Sequence, residues 1–136
     1  MFSGFAKVWT PVIPAASLGR SPVGVVLAGE RVVLFRDGKG APAALIDRCP
    51  HRGVALSLGR VTPDGCLECP FHGWQFGPDG TNRKVPFNPE ARRETLGAIP
   101  LPARQVGDMV WVHTAPGATA PSEPQAPDGL TRSEER

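Results

Sequence analysis

The chain has 136 residues, one domain's worth, and a formal net charge of +2 with Arg and Lys scattered along it, so composition points to no nucleic-acid partner. No apolar run approaches the roughly 20 residues of a membrane-spanning helix, and no basic stretch leads into an apolar one at the N-terminus, so neither a membrane segment nor a signal peptide is expected. Three Cys, an odd number, argue against a disulfide framework and fit a reducing, cytoplasmic setting in which thiolates serve as metal ligands.

Sixteen Gly and sixteen Pro favour turns and short strands over long helices. Residues 23–27 and 31–35 are β-branched runs and predict a pair of strands, with 28–30 as the hairpin turn between them. Asp37-Gly38-Lys39-Gly40 marks a second turn and is followed by an expected strand at 43–47. Residues 66–69 read as a strand, Trp74-Gln75-Phe76 as its continuation after a loop, and Pro78-Asp79-Gly80 as a turn. One helical turn is expected near 89–94. Residues 100–106 and 109–113 predict a final hairpin around Gly107-Asp108. Short strands at this spacing indicate an all-β sandwich or small barrel over 1–114. Residues 115–136 hold Pro116, Pro121, Pro124 and Pro127 and one large apolar residue, Leu130. Such a segment cannot bury enough apolar surface to offset its ordering entropy, and a disordered tail or linker is expected there.

Two runs carry the chemistry: Cys49-Pro50-His51-Arg52-Gly53 and Cys69-Pro70-Phe71-His72-Gly73-Trp74. Each offers a thiolate and an imidazole from one tight loop. Pro after Cys stiffens the loop, and Gly lets backbone approach the site where a side chain would collide. Backbone N–H groups in such turns can point at sulfur and stabilise negative charge there. Two Cys and two His suit a structural zinc ion, or a two-iron, two-sulfur cluster with Cys on one iron and His on the other. Cys66, three residues before Cys69, could extend a zinc set, but reads better as a small buried side chain on the incoming strand. His113 reads as a strand-surface or strand-end histidine. Phe71 and Trp74 are expected to shield the site, and Trp9 and Trp111 to lie in the core.

The pattern C-P-H-R-G, seventeen residues from His51 to Cys69, then C-P-F-H-G-W resembles the Rieske iron–sulfur proteins. More narrowly it is similar to the N-terminal Rieske domain of ring-hydroxylating and demethylating oxygenases and to Rieske-type ferredoxins. Trp9-Thr10-Pro11-Val12, residues 29–37, the run from Asp47 to Gly59, and Val85-Pro86 add to the likeness. The resemblance implies the Rieske fold, an antiparallel β-sandwich with a small cluster-binding subdomain of two loops. It implies a Rieske-type 2Fe-2S cluster with Cys49 and Cys69 on one iron and His51 and His72 on the other, the histidines at the exposed tip as the exit point for electrons. A flavin-dependent reductase or a ferredoxin would be the donor and the catalytic component of an oxygenase the acceptor.

High-potential respiratory members carry a disulfide between the loops, at positions that here are Val54 and Phe71. They also carry a Ser and a Tyr donating hydrogen bonds, where this chain has Trp74 and Phe76. The resemblance therefore implies a low reduction potential, near the bottom of a family range of roughly −150 to +300 mV. The oxygenase relatives also hold a catalytic iron on two His and a carboxylate. With His51 and His72 committed, only His113 remains of the three His, so no catalytic residue is assigned within these residues. Four readings stay open: a free electron carrier, the N-terminal domain of an oxygenase, a small Rieske-like subunit of a nitrite reductase, and a zinc-stabilised binding module. Arg48, Arg52 and Arg60 could form a basic rim for an acidic redox partner.

Overall fold

The run Val32-Val33-Leu34-Phe35 lacks polar alternation, the mark of a strand covered on both faces. The computed structural model, which describes residues 9–27, 29–50, 53–70, 73–85 and 97–113, gives the reason. Strand β1 spans Trp9–Pro14, β2 Val23–Leu27, β3 Glu30–Arg36, β4 Pro42–Ile46, β5 Arg60–Val61, β6 Leu67–Glu68, β7 Gln75–Phe76, β8 Asn82–Lys84, β9 Pro100–Leu101, β10 Ala103–Val106 and β11 Met109–His113. They form three antiparallel sheets, ordered β1-β11-β10, β2-β3-β4-β9 and β5-β6-β7-β8. The second sheet is the middle layer. Val32, Leu34, Ala44 and Ile46 pack on one of its faces with Val110 and Val112 of the first sheet. The alternate residues Val33, Phe35, Ala43 and Leu45 pack on the other with Leu67 and Phe76 of the third. A period of two thus sends each half of one apolar run into a different core.

The third sheet carries the candidate ligand loops, and close backbone contact ties it to the middle layer. Gly65, at φ +82°, ends the turn between β5 and β6; a Cβ there would overlap the backbone of Asp37 and Gly38 in the β3–β4 turn. Thr62 accepts the Cys66 N–H at 3.1 Å on its Oγ1 and closes the same turn.

The all-β class and the expected strands at 23–27, 31–35 and 43–47 are present, as is the terminal hairpin. The stretch 100–106, expected as one strand, is two. Pro102 has no N–H for a ladder, and its carbonyl accepts the His113 N–H at 2.9 Å. Leu101 stays with β4 in the middle sheet, and Ala103 starts the pairing with β11. Strand β1 has no counterpart among the sequence expectations. Its Pro11 and Pro14 would weaken an interior strand; here they lie on a sheet edge, with a bulge between Pro11 and Ile13. The helical turn expected at 89–94 and the tail at 115–136 lie outside the described residues. Among the described residues, no helix is long and apolar enough to cross a membrane.

The expected turn at 78–80 is built around Asp79, whose Oδ1 accepts the Thr81 hydroxyl at 2.7 Å and the Thr81 N–H at 3.1 Å; Arg83 lies 3.5 Å away. Burial opposes ionisation of Asp79, but these hydrogen bonds and the Arg83 charge prevail and hold its carboxyl below the ordinary 3.8. A carboxylate with a lowered pKa stabilises the fold above its unfolded pKa and loses that contribution as pH falls through the folded value. Wild type is therefore expected to melt above Asp79→Ala at pH 7, and the gap to close below about pH 3.8. The group is half-exposed, so screening keeps the difference within about 1 kcal/mol. Melting curves of both proteins against pH check this.

Candidate metal centre

Two five-residue runs, Cys-Pro-His-Arg-Gly and Cys-Pro-Phe-His-Gly, make the same hydrogen bonds at the same spacing. The Cys49 N–H donates to the Val54 carbonyl at 2.8 Å, and the Gly53 N–H returns to the Cys49 carbonyl at 2.8 Å. In the second run the Cys69 N–H donates to Trp74 at 2.7 Å, and the Gly73 N–H to Cys69 at 3.2 Å. Gly53 and Gly73 both have φ +73°, a left-handed conformation that glycine adopts without a Cβ penalty. One loop is thus built twice. Its His stands third in the first run and fourth in the second.

The first loop follows β4, and the second joins β6 to β7. Cys49 is 2% exposed and Cys69 3%, and both sulfurs belong to one buried cluster with Leu56, Trp74 and Phe76. Neither forms a disulfide. Two buried, unbridged thiols at the starts of matched loops fit a thiolate pair on one metal: burying thiolate charge in an apolar cluster requires a cation. Trp74 is buried over this cluster, as expected of a shielding side chain. His51, Arg52, Phe71 and His72 lie outside the described residues, so the structure describes the sulfur half of the expected ligand set. Among the described residues no group of three His, Cys, Asp or Glu gathers to hold a metal ion.

Cys66 sits at the opposite end of β6 from Cys69 and belongs to neither core cluster with it. Three residues of extended chain separate their Cα atoms by roughly 10 Å and turn their side chains to opposite faces. It is the small buried residue expected. His113 ends β11, as one expectation had it, but not on the surface: it is 3% exposed, with its ring edge-on to Trp9 at 5.2 Å. Trp111 is buried as expected, while Trp9 is only half-buried.

Of the expected basic rim, Arg60 donates from Nε to Glu68 at 2.6 Å, and Arg48 stands 3.9 Å from Glu30. Arg60, Glu68, Gln75 and Lys84 lie in register across β5, β6, β7 and β8, one row beside Cys69 and Trp74. Burial disfavours the Glu68 carboxylate, but hydrogen bonds from Arg60 and Gln75 and the charges of Arg60 and Lys84 outweigh it and hold its carboxyl below the ordinary 4.5. Glu68 therefore stays charged at neutral pH and offsets much of the field of Arg60.

Sequence reasoning missed Asp47 and Ser57. Asp47 is 5% exposed; its Oδ1 accepts the Ser57 N–H at 2.7 Å and its Oδ2 the Ser57 hydroxyl at 2.6 Å. The signal available was an Asp closing the apolar run Ala43-Ala44-Leu45-Ile46, two residues before the candidate ligand Cys49.

Comparison with known proteins agrees with this geometry. Chloroplastic chlorophyllide a oxygenase of Chlamydomonas reinhardtii is 38% identical over 131 residues, covering 93% of this chain and 20% of the relative. The oxygenase subunit of 3-chlorobenzoate-3,4-dioxygenase from Comamonas testosteroni is 36% identical over 88% of this chain and 28% of its own length. The crystal structure of dicamba monooxygenase with non-heme iron and dicamba superposes with a TM-score of 0.77 at 30% identity, over 84% of this chain and 35% of that one. The chain thus spans between a fifth and about a third of the length of these relatives. The family model for the Rieske [2Fe-2S] domain matches residues 8–103. With its antiparallel β-sheets and paired Cys loops, the chain belongs to the Rieske [2Fe-2S] domain family, whose members bind a Rieske-type 2Fe-2S cluster.

Proposed function

We propose that this chain passes single electrons to the catalytic component of an oxygenase at low potential, from a flavin-dependent reductase or a ferredoxin, in the cytoplasm. Cys49 and Cys69 hold one iron of the cluster and His51 and His72 the other; residues 1–114 form the domain and 115–136 a tail or linker. The observation that carries the reading is the doubled loop, which brings both cysteines into one buried cluster in a chain of this family. The cluster, when bound, supplies a one-electron redox couple.

The chain's own residues supply the rest. The loops fix the thiolates, and Trp74 and Phe76 keep water from the sulfur side. The positions matching the hydroxyl donors of high-potential relatives hold Trp74 and Phe76, both buried in apolar surroundings. Fewer hydrogen bonds to sulfur disfavour the more negative reduced state. A potentiometric titration followed by electron paramagnetic resonance is expected to give a midpoint near the lower end of the family range, about −150 mV. A midpoint well above zero would overturn the low-potential reading.

A second reading, the N-terminal Rieske domain of a longer oxygenase, is favoured by one observation: the relatives are longer oxygenases, and this chain spans only between a fifth and about a third of each. Coexpression with a catalytic-iron subunit separates the two. Electron transfer to a separate subunit supports the carrier; its absence, with a catalytic domain encoded in frame, supports the domain.

A further inference from the structure

The two ligand loops are alike within, but their ends are held differently. The second loop closes a hairpin: Leu67 pairs with Phe76 and Glu68 with Gln75, so ladder hydrogen bonds fix its ends. Among the described residues the first loop has no such ladder. It leaves β4 after Ile46 and runs into the 3-10 turn Leu56–Leu58. The side chain of Asp47 reaches across this gap. Asp47 takes both the N–H and the hydroxyl of Ser57, ten residues on, while its own N–H donates to the Arg31 carbonyl of β3 at 3.0 Å. A Cβ on Gly24 of β2 would stand 3.0 Å from Ser57 Oγ and 3.4 Å from Asp47 Oδ2, so the bare backbone of β2 lies close over the pair, in which Asp47 is 5% exposed and Ser57 half-buried. Hydrogen bonds to a carboxylate are strong in such a site, and an orphaned partner there is costly.

We propose that Asp47 is the positioning residue of the first ligand loop: its clamp on Ser57, beneath Gly24, does for Cys49 and His51 what the β6–β7 ladder does for Cys69 and His72. The inference deepens the ligand assignment above and rests on it. It makes the first loop's hold on the cluster depend on a side chain as well as on backbone hydrogen bonds such as Cys49 N–H to Val54. The hydrogen-bonded shape of Asp47 is what matters, and Asn, which can accept the Ser57 N–H and donate to its oxygen, preserves that shape.

The test uses the full chain loaded with iron and sulfide. Wild type, Asp47→Ala, Asp47→Asn, Ser57→Ala and Asp37→Ala are compared by the rate at which an iron chelator bleaches the visible spectrum, and by the resonance spectrum of the reduced protein. Asp37 is the control: its Oδ1 also accepts two hydrogen bonds, from the Lys39 and Ala41 N–H groups at 2.8 and 3.0 Å, but in the turn at the far end of the β3–β4 hairpin. Asp47→Ala is expected to bleach about tenfold faster than wild type, the scale of one lost charge-assisted hydrogen bond, and to shift the resonance. Ser57→Ala, which keeps its N–H, is expected at about threefold, and Asp47→Asn within about twofold of wild type. Asp37→Ala should match wild type in both readouts. Bleaching of Asp47→Ala no faster than Asp37→Ala overturns the clamp, and so does Asp47→Asn bleaching as fast as Asp47→Ala, which would assign the effect to charge. If Asp47→Ala does not fold by circular dichroism, Ser57→Ala decides: faster than Asp37→Ala supports the clamp, equal overturns it. A wild-type chain that takes up no cluster fails the ligand assignment and the clamp together. A stable wild-type cluster with an equally stable Asp47→Ala fails the clamp alone.

Discussion

Replacing His51 or His72 by Ala is expected to abolish the Rieske visible and resonance spectra, and Cys49→Ser or Cys69→Ser to leave the protein colourless. Cys66→Ser should keep the spectrum nearly unchanged. The size of the effect follows from ligand arithmetic. On the proposed assignment each loop supplies one sulfur and one nitrogen, so losing any one would leave an iron with a vacant position and, for the cysteines, a buried cluster short of a thiolate. Cys66 lies at the wrong end of β6 to fill it, roughly 10 Å along the strand, so no rescue from within the third sheet is available. The controls separate cluster loss from unfolding. The middle-layer core of Val32, Leu34, Ala44 and Ile46 packs against the first sheet, away from the loops, and its circular dichroism should survive the ligand changes. A coloured His72→Ala protein, or a colourless Cys66→Ser protein, would reverse the assignment.

The loops were legible because their chemistry is local: Cys, Pro, His and Gly within five residues specify a tight turn and its donors before any tertiary contact exists. The middle sheet was legible for a similar reason, since the run at β3 is long and β-branched enough to specify a strand alone. What hid from the sequence was structure made only by pairing. Strand β5 has two residues, Arg60 and Val61, and exists because Glu68 and Leu67 stand opposite. Strand β8, Asn82–Lys84, is polar in all three positions and pairs only across a bulge at β7. Strand β1 was masked by its prolines, which only an edge position permits. The clamp from Asp47 to Ser57 was invisible for another reason: ten residues separate the partners, and nothing in either residue type shows that one carboxylate will lie nine-tenths buried beneath a glycine. The pairing of Arg60, in the possible basic rim, with Glu68 was hidden in the same way: eight residues separate them, and they meet only across the sheet.

Gly59→Ala is expected to dismantle the loop-bearing sheet and release the cluster, although the residue ligates nothing. Gly59 follows the 3-10 turn Leu56–Leu58, with φ −89° and ψ −148°, and its N–H caps that turn at the Leu56 carbonyl, 3.0 Å away. Its φ is negative, so the constraint is space. A Cβ there would overlap the Glu68 carbonyl and stand 3.2 Å from Pro70 Cδ. This is where the chain leaving the first loop crosses the entry to the second. The obstacle is backbone, which cannot rotate aside as a flexible side chain does. To make room, the peptide joining Glu68 to Cys69 must move, breaking the Arg60–Glu68 register and displacing one thiolate, or Leu56 must leave the core that also holds Cys49 and Cys69. Overpacking against fixed neighbours costs roughly 1–3 kcal/mol, and a displaced ligand adds the binding energy of the cluster to that loss. Gly19→Ala is the matched control: nothing lies within 4 Å of its added Cβ, and the change should be neutral or slightly stabilising. Thermal melts and chelator bleaching of the two variants side by side settle the matter, and a Gly59→Ala protein that melts with Gly19→Ala and keeps its colour would mean that the two loops do not meet at this crossing.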